Sequence, residues 1–211
     1  VSDEGMLEAE PAAAAAVFGD RIEWARRFTT ALALHGEERG LIGPLELPRL
    51  WSRHILNSAV IAPLFSGTVG DIGSGAGLPG LVLAIARPDV QWVLIEPMER
   101  RVTWLLEQVA ELELDNVEVV RARAEDWKRG PVCDAVTARA VSALRTLIPL
   151  AAPLVRDGGE LVLLKGASAP AEIEAAQKQI RKFRLSDVRV DVVGEDVVPE
   201  PSRVVRAIVR G

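Results

Sequence analysis

The spacing of apolar positions changes character along this chain. Ile22, Ala25, Phe28 and Leu32 recur at helical intervals up to Gly36, with Asp20 placed as the N-cap. A second helix is predicted from Pro48 to Phe65, with Leu50, Trp51, Ile55, Ser58, Ile61 and Phe65 near one face. The pattern then switches to short continuous apolar runs. Strands are predicted near 69–73, 91–96, 117–121, 133–138 and 159–165, separated by helical stretches at 79–87, 98–112 and 143–155. Strand–helix alternation implies a parallel sheet with helices on both faces, although periodicity does not give the strand order. After a helix near 170–183, strands at 187–193 and 203–209 are joined by a loop with Pro199 and Pro201, which suits an antiparallel edge. Residues 1–10 read as a frayed tail. The organisation expected is a flexible or helical tail over 1–19, a helical cap over 20–66 beside a cleft, and an α/β unit over 67–211 continuous with the cap.

The strongest chemical signal lies in Thr68-Val-Gly-Asp-Ile-Gly-Ser-Gly-Ala-Gly-Leu-Pro-Gly80. A strand turning through Gly73, Gly75 and Gly77 into a helix opened by Pro79 brings bare backbone to a nucleotide-like ligand. Glu96, ending the buried run Gln91–Ile95 about 20 residues later, is placed for ribose hydroxyls. Gly75-Ala-Gly77-Leu-Pro-Gly80 matches a dinucleotide fingerprint literally, but Asp71 and Gly73 already occupy the strand end. Asp71-x-Gly73-x-Gly75 resembles class I S-adenosylmethionine-dependent methyltransferases. A sulfonium and an ammonium also favour nearby carboxylates. This ranks the methyl donor ahead of a nicotinamide cofactor and a structural glycine turn last.

Composition narrows the setting. The 211 residues suit one domain with a small appendage, and the hydrophobic fraction of 49% is ample for a large core. No apolar run approaches the roughly 20 residues of a membrane span. The acidic start leading into alanines is unlike a signal peptide. A single cysteine, Cys133, leaves no internal disulfide and no cysteine-rich zinc site, so no metal is expected. A cytoplasmic location follows. The net charge of −5 argues against tight, indiscriminate binding to naked nucleic acid. Residues 165–211 are locally basic, and 21 of the 25 basic residues are arginine, as a GC-rich genome would give.

Two later segments bear on reaction type. Glu125-Asp126-Trp127 follows the third strand, where an acid and a backbone amide would meet adenine; the plainer alternative is a solvated helix start. The fourth strand ends Asp134-Ala-Val-Thr-Ala-Arg139-Ala, without the Asn/Asp-Pro-Pro-aromatic group of exocyclic-amine methylation. Cys133 opens that strand at the wrong end of the sheet for a nucleophile. Arg139 remains beside the reacting centre. Guanine N7 has an in-plane lone pair and no proton, so it needs alignment rather than a base. Arg139 would orient the base through O6, the alternative being a structural ion pair.

These motifs resemble the bacterial RsmG (GidB) family of guanine-N7 methyltransferases acting on small-subunit (16S) ribosomal RNA. The resemblance rests on Arg53-His54 with Asn57-Ser58, Asp71 to Gly80, Arg100-Arg101, Arg123-Ala-Glu125, Ala138-Arg139-Ala140 and Leu164-Lys165-Gly166. It implies a Rossmann-like class I methyltransferase fold, mostly parallel, with a C-terminal antiparallel edge and an N-terminal helical cap. Donor contacts are implied for Gly73, Leu78, Ala124, Glu125 and Arg139; Asp71, Ser74, Gly75, Gly77 and Glu96 join them from the loop argument. Arg139 and Lys165 become the catalytic or substrate-facing candidates, with Arg53, His54, Arg123 and Arg203 positioning substrate. Many members carry Asp where this chain has Asn57. Lys178, Arg181, Lys182 and Arg184 form either a solvated face or, with Lys165, Arg203 and Arg206, a basic rim for RNA phosphates. The expected partner is small-subunit rRNA within a ribosomal particle or assembly intermediate, with neither membrane nor DNA. The rival functions are a non-catalytic S-adenosylmethionine-binding assembly factor, an NAD-dependent oxidoreductase, and a methyltransferase acting on a small molecule or protein.

Overall fold

The computed structural model describes residues 6–127 and 132–211. Its centre is a seven-stranded sheet: β1 (Thr68–Ile72), β2 (Gln91–Ile95), β3 (Val117–Val120), β4 (Cys133–Arg139), β5 (Val155–Lys165), β6 (Leu185–Val193) and β7 (Ser202–Val209). The strand order is β3-β2-β1-β4-β5-β7-β6. The first five strands run parallel, and β7 pairs antiparallel with both β5 and β6, giving the expected edge.

Alternation along the strands separates two cores. Trp92 and Leu94 of β2 face one side, with Val162 and Leu164 of β5. Val93, Ile95, Leu161 and Leu163 face the other. The helices are α1 (Ala13–Phe18), α2 (Ile22–His35), α3 (Asn57–Ala59), α4 (Gly80–Ala86), α5 (Glu99–Glu111), α6 (Leu144–Ala151), α7 (Ala169–Ala175) and α8 (Gln177–Lys182). The first core receives side chains from α1, α2, α4, α5 and the 50–65 segment, and the second from α6, α7 and α8.

Several boundaries differ from the sequence expectation. Asp20 does not cap α2: it lies in a 3₁₀ turn, Gly19–Arg21, in which the Ile22 N–H bonds to the Gly19 carbonyl. The backbone turn satisfies that donor, so no side-chain cap is needed. The 48–65 helix is broken into a 3₁₀ segment (Pro44–Arg49), a π-helical turn (Leu50–Leu56), α3 and a second 3₁₀ turn (Ala62–Leu64). Pro48 and Pro63 lack amide donors and interrupt the helical ladder. The stretch 143–155 ends as α6 at Ala151, and β5 begins at Val155. Of the tail, residues 1–5 lie outside the described residues. Glu8 is tied to Ser52 through its carboxylate and to the Leu47 carbonyl through its N–H, and Glu10 pairs with Arg26.

The segment expected as a cap beside the cleft divides in two. Arg21 donates to the Ile85 carbonyl, Trp24 to Leu112 and Arg27 to Glu111, so α2 is fastened to the C-terminal ends of α4 and α5. Parallel crossovers put those ends on the opposite side of the sheet from the C-terminal strand ends. Residues 53–58 reach the C-terminal strand ends, where Arg139 meets them.

Candidate active site

The glycine loop follows β1 and is fixed from three sides. Gly73, Gly75 and Gly77 adopt φ of 68°, 56° and 92°, a region costly for residues with a Cβ. The Gly73 N–H bonds to the Ile95 carbonyl, and Trp104 of α5 donates its indole N–H to the Ala76 carbonyl at 3.0 Å. Buried Asp71 accepts the Gly80 N–H at 3.1 Å, which holds the start of α4. Its second oxygen, Oδ1, has no partner among the described residues, and burial pushes its pKa up to about 7, with the Glu96 charge adding to the rise.

Glu96 is 1% exposed; its carboxylate accepts the Gly75 N–H at 3.0 Å and the Met98 N–H at 2.9 Å. The carboxylate expected at the ribose therefore also braces the loop. Ser74, likewise buried, donates to the Asp71 carbonyl. Leu78 is half-buried where the loop meets α4. A Cβ placed on Gly75 would meet nothing closer than the Gly73 carbonyl at 3.6 Å and the Arg101 guanidinium at 3.9 Å, so the loop presents an open face there. An open glycine cradle flanked by two buried carboxylates fits a cationic, adenosine-bearing donor.

After β3, Ala124, Glu125 and Asp126 form a 3₁₀ turn. Ala124 and Trp127 are buried in the second core, while Arg123 and Glu125 are exposed.

A cleft of about 890 Å³ opens at the C-terminal ends of β4 and β5. Arg53, Asn57, Arg139, Lys165 and Arg203 line it, together with Val141, whose side chain lies against Gly73 between the loop and the cleft. Among the described residues Arg139 forms no carboxylate ion pair. Its Nη1 donates to Ser58 Oγ at 3.1 Å and the His54 carbonyl at 3.3 Å; its Nη2 donates to the Arg53 carbonyl at 3.1 Å and to His54 Nδ1 at 2.7 Å. These contacts take up all four Nη hydrogens and leave Nε–H, so Arg139 clasps β4 to the π-helical turn. The carbonyls it meets lie at the end of that turn, where the i→i+5 pattern departs from the ordinary ladder. Burial and the neighbouring Arg53 bring the Arg139 pKa down to about 10, with Glu46 opposing.

Lys165 lines the cleft, where it pairs with Glu172 at 2.9 Å and donates to the Ser142 carbonyl. The basic rim is not continuous. Arg206 is held by both oxygens of Glu160 at 2.7 Å and by Asp191. In the β5–β7 register Lys165 and Arg203 sit opposite each other at the cleft end. Leu185 pairs with Val209 at the other end, so α8 carries Lys178, Arg181 and Lys182 away from the cleft toward Arg184. Asn57 lies on the cleft side, accepting from Ser202 Oγ through its side chain at 3.2 Å and through its carbonyl at 3.0 Å. Cys133 is buried at the start of β4, against Gly70 and away from the cleft. Among the described residues no His/Cys/Asp/Glu group suits a metal ion.

Sequence reasoning assigned no role to Glu46, Ser58, Trp104 or Val141. Ser58, Trp104 and Val141 touch elements distant in sequence, and Glu46 reaches His54 from the segment just before it; no local motif announces such contacts.

The fold and the loop define a class I S-adenosylmethionine-dependent methyltransferase. Solved structures agree on the fold: a putative S-adenosylmethionine-dependent methyltransferase from Methanococcus maripaludis matches with TM-score 0.59 at 14% identity, covering 87% of this chain and 94% of its own. A methyltransferase from Aquifex aeolicus gives 0.59 at 19% identity, over 81% and 98%. Residues 21–199 match the family described as rRNA small subunit methyltransferase G (GidB), and the chain belongs to that family. The ribosomal RNA small subunit methyltransferase G of Leifsonia xyli is 69% identical over 97% of this chain and 98% of its own length. That of Clavibacter michiganensis is 64% identical over 96% of each.

Proposed function

We propose that this protein transfers a methyl group to N7 of a guanine in small-subunit (16S) ribosomal RNA. The relatives' shared name supports the RNA class. The observation carrying the choice of atom is the composition of the cleft. Arg139 and Lys165 are committed to orienting contacts, Glu172 is paired to Lys165, and the ring of His54 is held between Glu46 and Arg139. The one other carboxylate lining the cleft, Glu200, is exposed between Pro199 and Pro201, so among the described residues no buried carboxylate stands free beside Arg139 to remove a proton. Guanine N7 is a nucleophile that needs none.

S-adenosylmethionine supplies an electrophilic methyl on a cationic sulfur. In this reading the Gly73–Leu78 loop, Asp71 and Glu96 hold it, and the Ala124–Glu125 turn meets its adenine. Arg139 fixes the wall facing the methyl and, through the one N–H not already taken, contacts donor or base. Lys165 holds the 142–144 loop at the cleft floor, with His54 positioning Arg139. Arg53 and Arg203 meet the RNA, with Arg123 at the outer edge of the donor site. Catalysis is then alignment of two reactants at contact distance in place of proton transfer.

Arg139→Ala is expected to remove most methyl transfer to small subunits from a strain lacking the enzyme, with the fold and donor binding retained. The measurement is transfer of labelled methyl alongside donor calorimetry. Wild-type turnover in that variant would overturn the assignment. Comparable transfer to naked 16S rRNA would overturn the further expectation that an assembled or assembling particle is the substrate.

A further inference from the structure

Behind Arg139 lies a chain of contacts that none of the motifs contains. Glu46, in the 3₁₀ segment before the π-helical turn, lies 2.5 Å from His54 Nε2. On the other side of the ring, His54 Nδ1 faces Arg139 Nη2 at 2.7 Å. A guanidinium only donates, so Nδ1 must be the acceptor and the ring proton must sit on Nε2, aimed at the Glu46 carboxylate. The charged groups around this ring are Glu46 and Arg49 from the 3₁₀ segment, Arg53 from its own turn and Arg139 from β4. Burial first, and then the Arg139 charge, hold His54 below its ordinary pKa; Glu46 opposes them.

We infer that Glu46 is a positioning residue of this site: it fixes the proton of His54 on Nε2, which keeps Nδ1 free to accept from Arg139 and so holds β4 against the 53–58 segment. If the proton moved to Nδ1, or the ring became imidazolium, an N–H would point at a guanidinium N–H. One of the four contacts that immobilise Arg139 would become a repulsion. The clasp would loosen at the wall of the acceptor cleft, while the donor loop, braced by Trp104, Asp71 and Glu96, would be untouched. The inference rests on the proposed role of Arg139, and the test keeps the two separable.

The chain has two histidines, His35 and His54, so ¹⁵N-histidine labelling with His35→Gln for assignment reads the His54 tautomer directly. In the wild type His54 should be neutral at pH 7 with its proton on Nε2. Glu46→Leu should move the proton partly to Nδ1 and lower kcat on the order of tenfold, as loss of one charge-assisted contact would, with donor affinity unchanged. Glu46→Gln retains an acceptor and should recover most of that loss. Without the carboxylate charge to favour imidazolium, both the His54 titration and the acid limb of kcat should shift about half a pH unit or more downward.

A proton on Nδ1 in the wild type, or an unaltered tautomer and kcat in Glu46→Leu, overturns the inference. If Glu46→Leu fails to fold, an acid limb unmoved in Glu46→Gln overturns it alone. The expected tautomer shift combined with full turnover in Arg139→Ala would instead locate the failure in the reading of Arg139, and the catalytic role of Glu46 would fall with it.

Discussion

Asp71 shows how one side chain serves both architecture and electrostatics. It anchors α4 through Gly80, yet one of its oxygens is buried without a partner. Its pKa is raised from 3.8 to about 7, chiefly by burial, so the folded protein binds this proton more tightly than the unfolded chain. The stabilisation is complete below the unfolded value and is lost as pH climbs toward about 7. His54 works in the opposite sense: its lowered pKa gives stability above the ordinary value of 6.5 that is lost as pH falls. Asp71→Asn should isolate the first effect. Measured by denaturant unfolding, wild type minus variant should be largest near the bottom of the acid range and shrink toward neutrality; a constant difference would contradict this assignment. Sequence reading found Asp71, Glu96 and Arg139 because each ends a strand at a fixed offset from a recognisable turn. It did not give what they touch. Arg139 was read as orienting the base; its four Nη hydrogens go to the Arg53 and His54 carbonyls, Ser58 Oγ and His54 Nδ1, partners that only the tertiary fold brings to it.

At the scale of elements, the sheet was legible because its central strands β1, β2 and β4 are buried on both faces and punctuated by glycines and acids. The segment before β1 was not. Its apolar residues have helical spacing, but Pro48 and Pro63 divide it into turns of different pitch, and a hydrophobic pattern does not register pitch. The same limit hid the attachment of α1 and α2, whose apolar faces announce burial without naming a partner. Phe18, 4% exposed, packs the end of α1 into the first core. Phe18→Ala should cost about 3 kcal/mol or more of unfolding free energy, as ring removal from a packed core does. Donor affinity should be unaffected, because α1 lies away from the glycine loop. A cost below about 1 kcal/mol in a denaturant titration would show that α1 is dispensable to the core.

For the whole molecule, the proposed function puts donor and acceptor in separate places. The donor loop sits above β1 and β2, the cleft above β4 and β5, and the π-helical turn closes one wall of the cleft. Charge follows the same division: Arg53 and Arg203 flank the cleft, whereas the Lys178–Arg184 group faces the other end of the sheet. The double reversal Arg53→Glu with Arg203→Glu should weaken association with small-subunit particles at least tenfold while leaving donor affinity intact. Lys178→Glu with Lys182→Glu should change particle binding little. Co-sedimentation with the particles measures both, and the reverse ranking would move the RNA-binding face to α8. Within the first core, cap and sheet side chains pack together.

The central claim is the atom that receives the methyl, and nucleoside mass spectrometry reads it directly. The purified protein is incubated with S-adenosylmethionine and small subunits from a strain lacking the enzyme, and the rRNA is digested to nucleosides. New 7-methylguanosine is expected in the small-subunit rRNA. A different methylated nucleoside, or none from a preparation that demonstrably binds the donor, would contradict it.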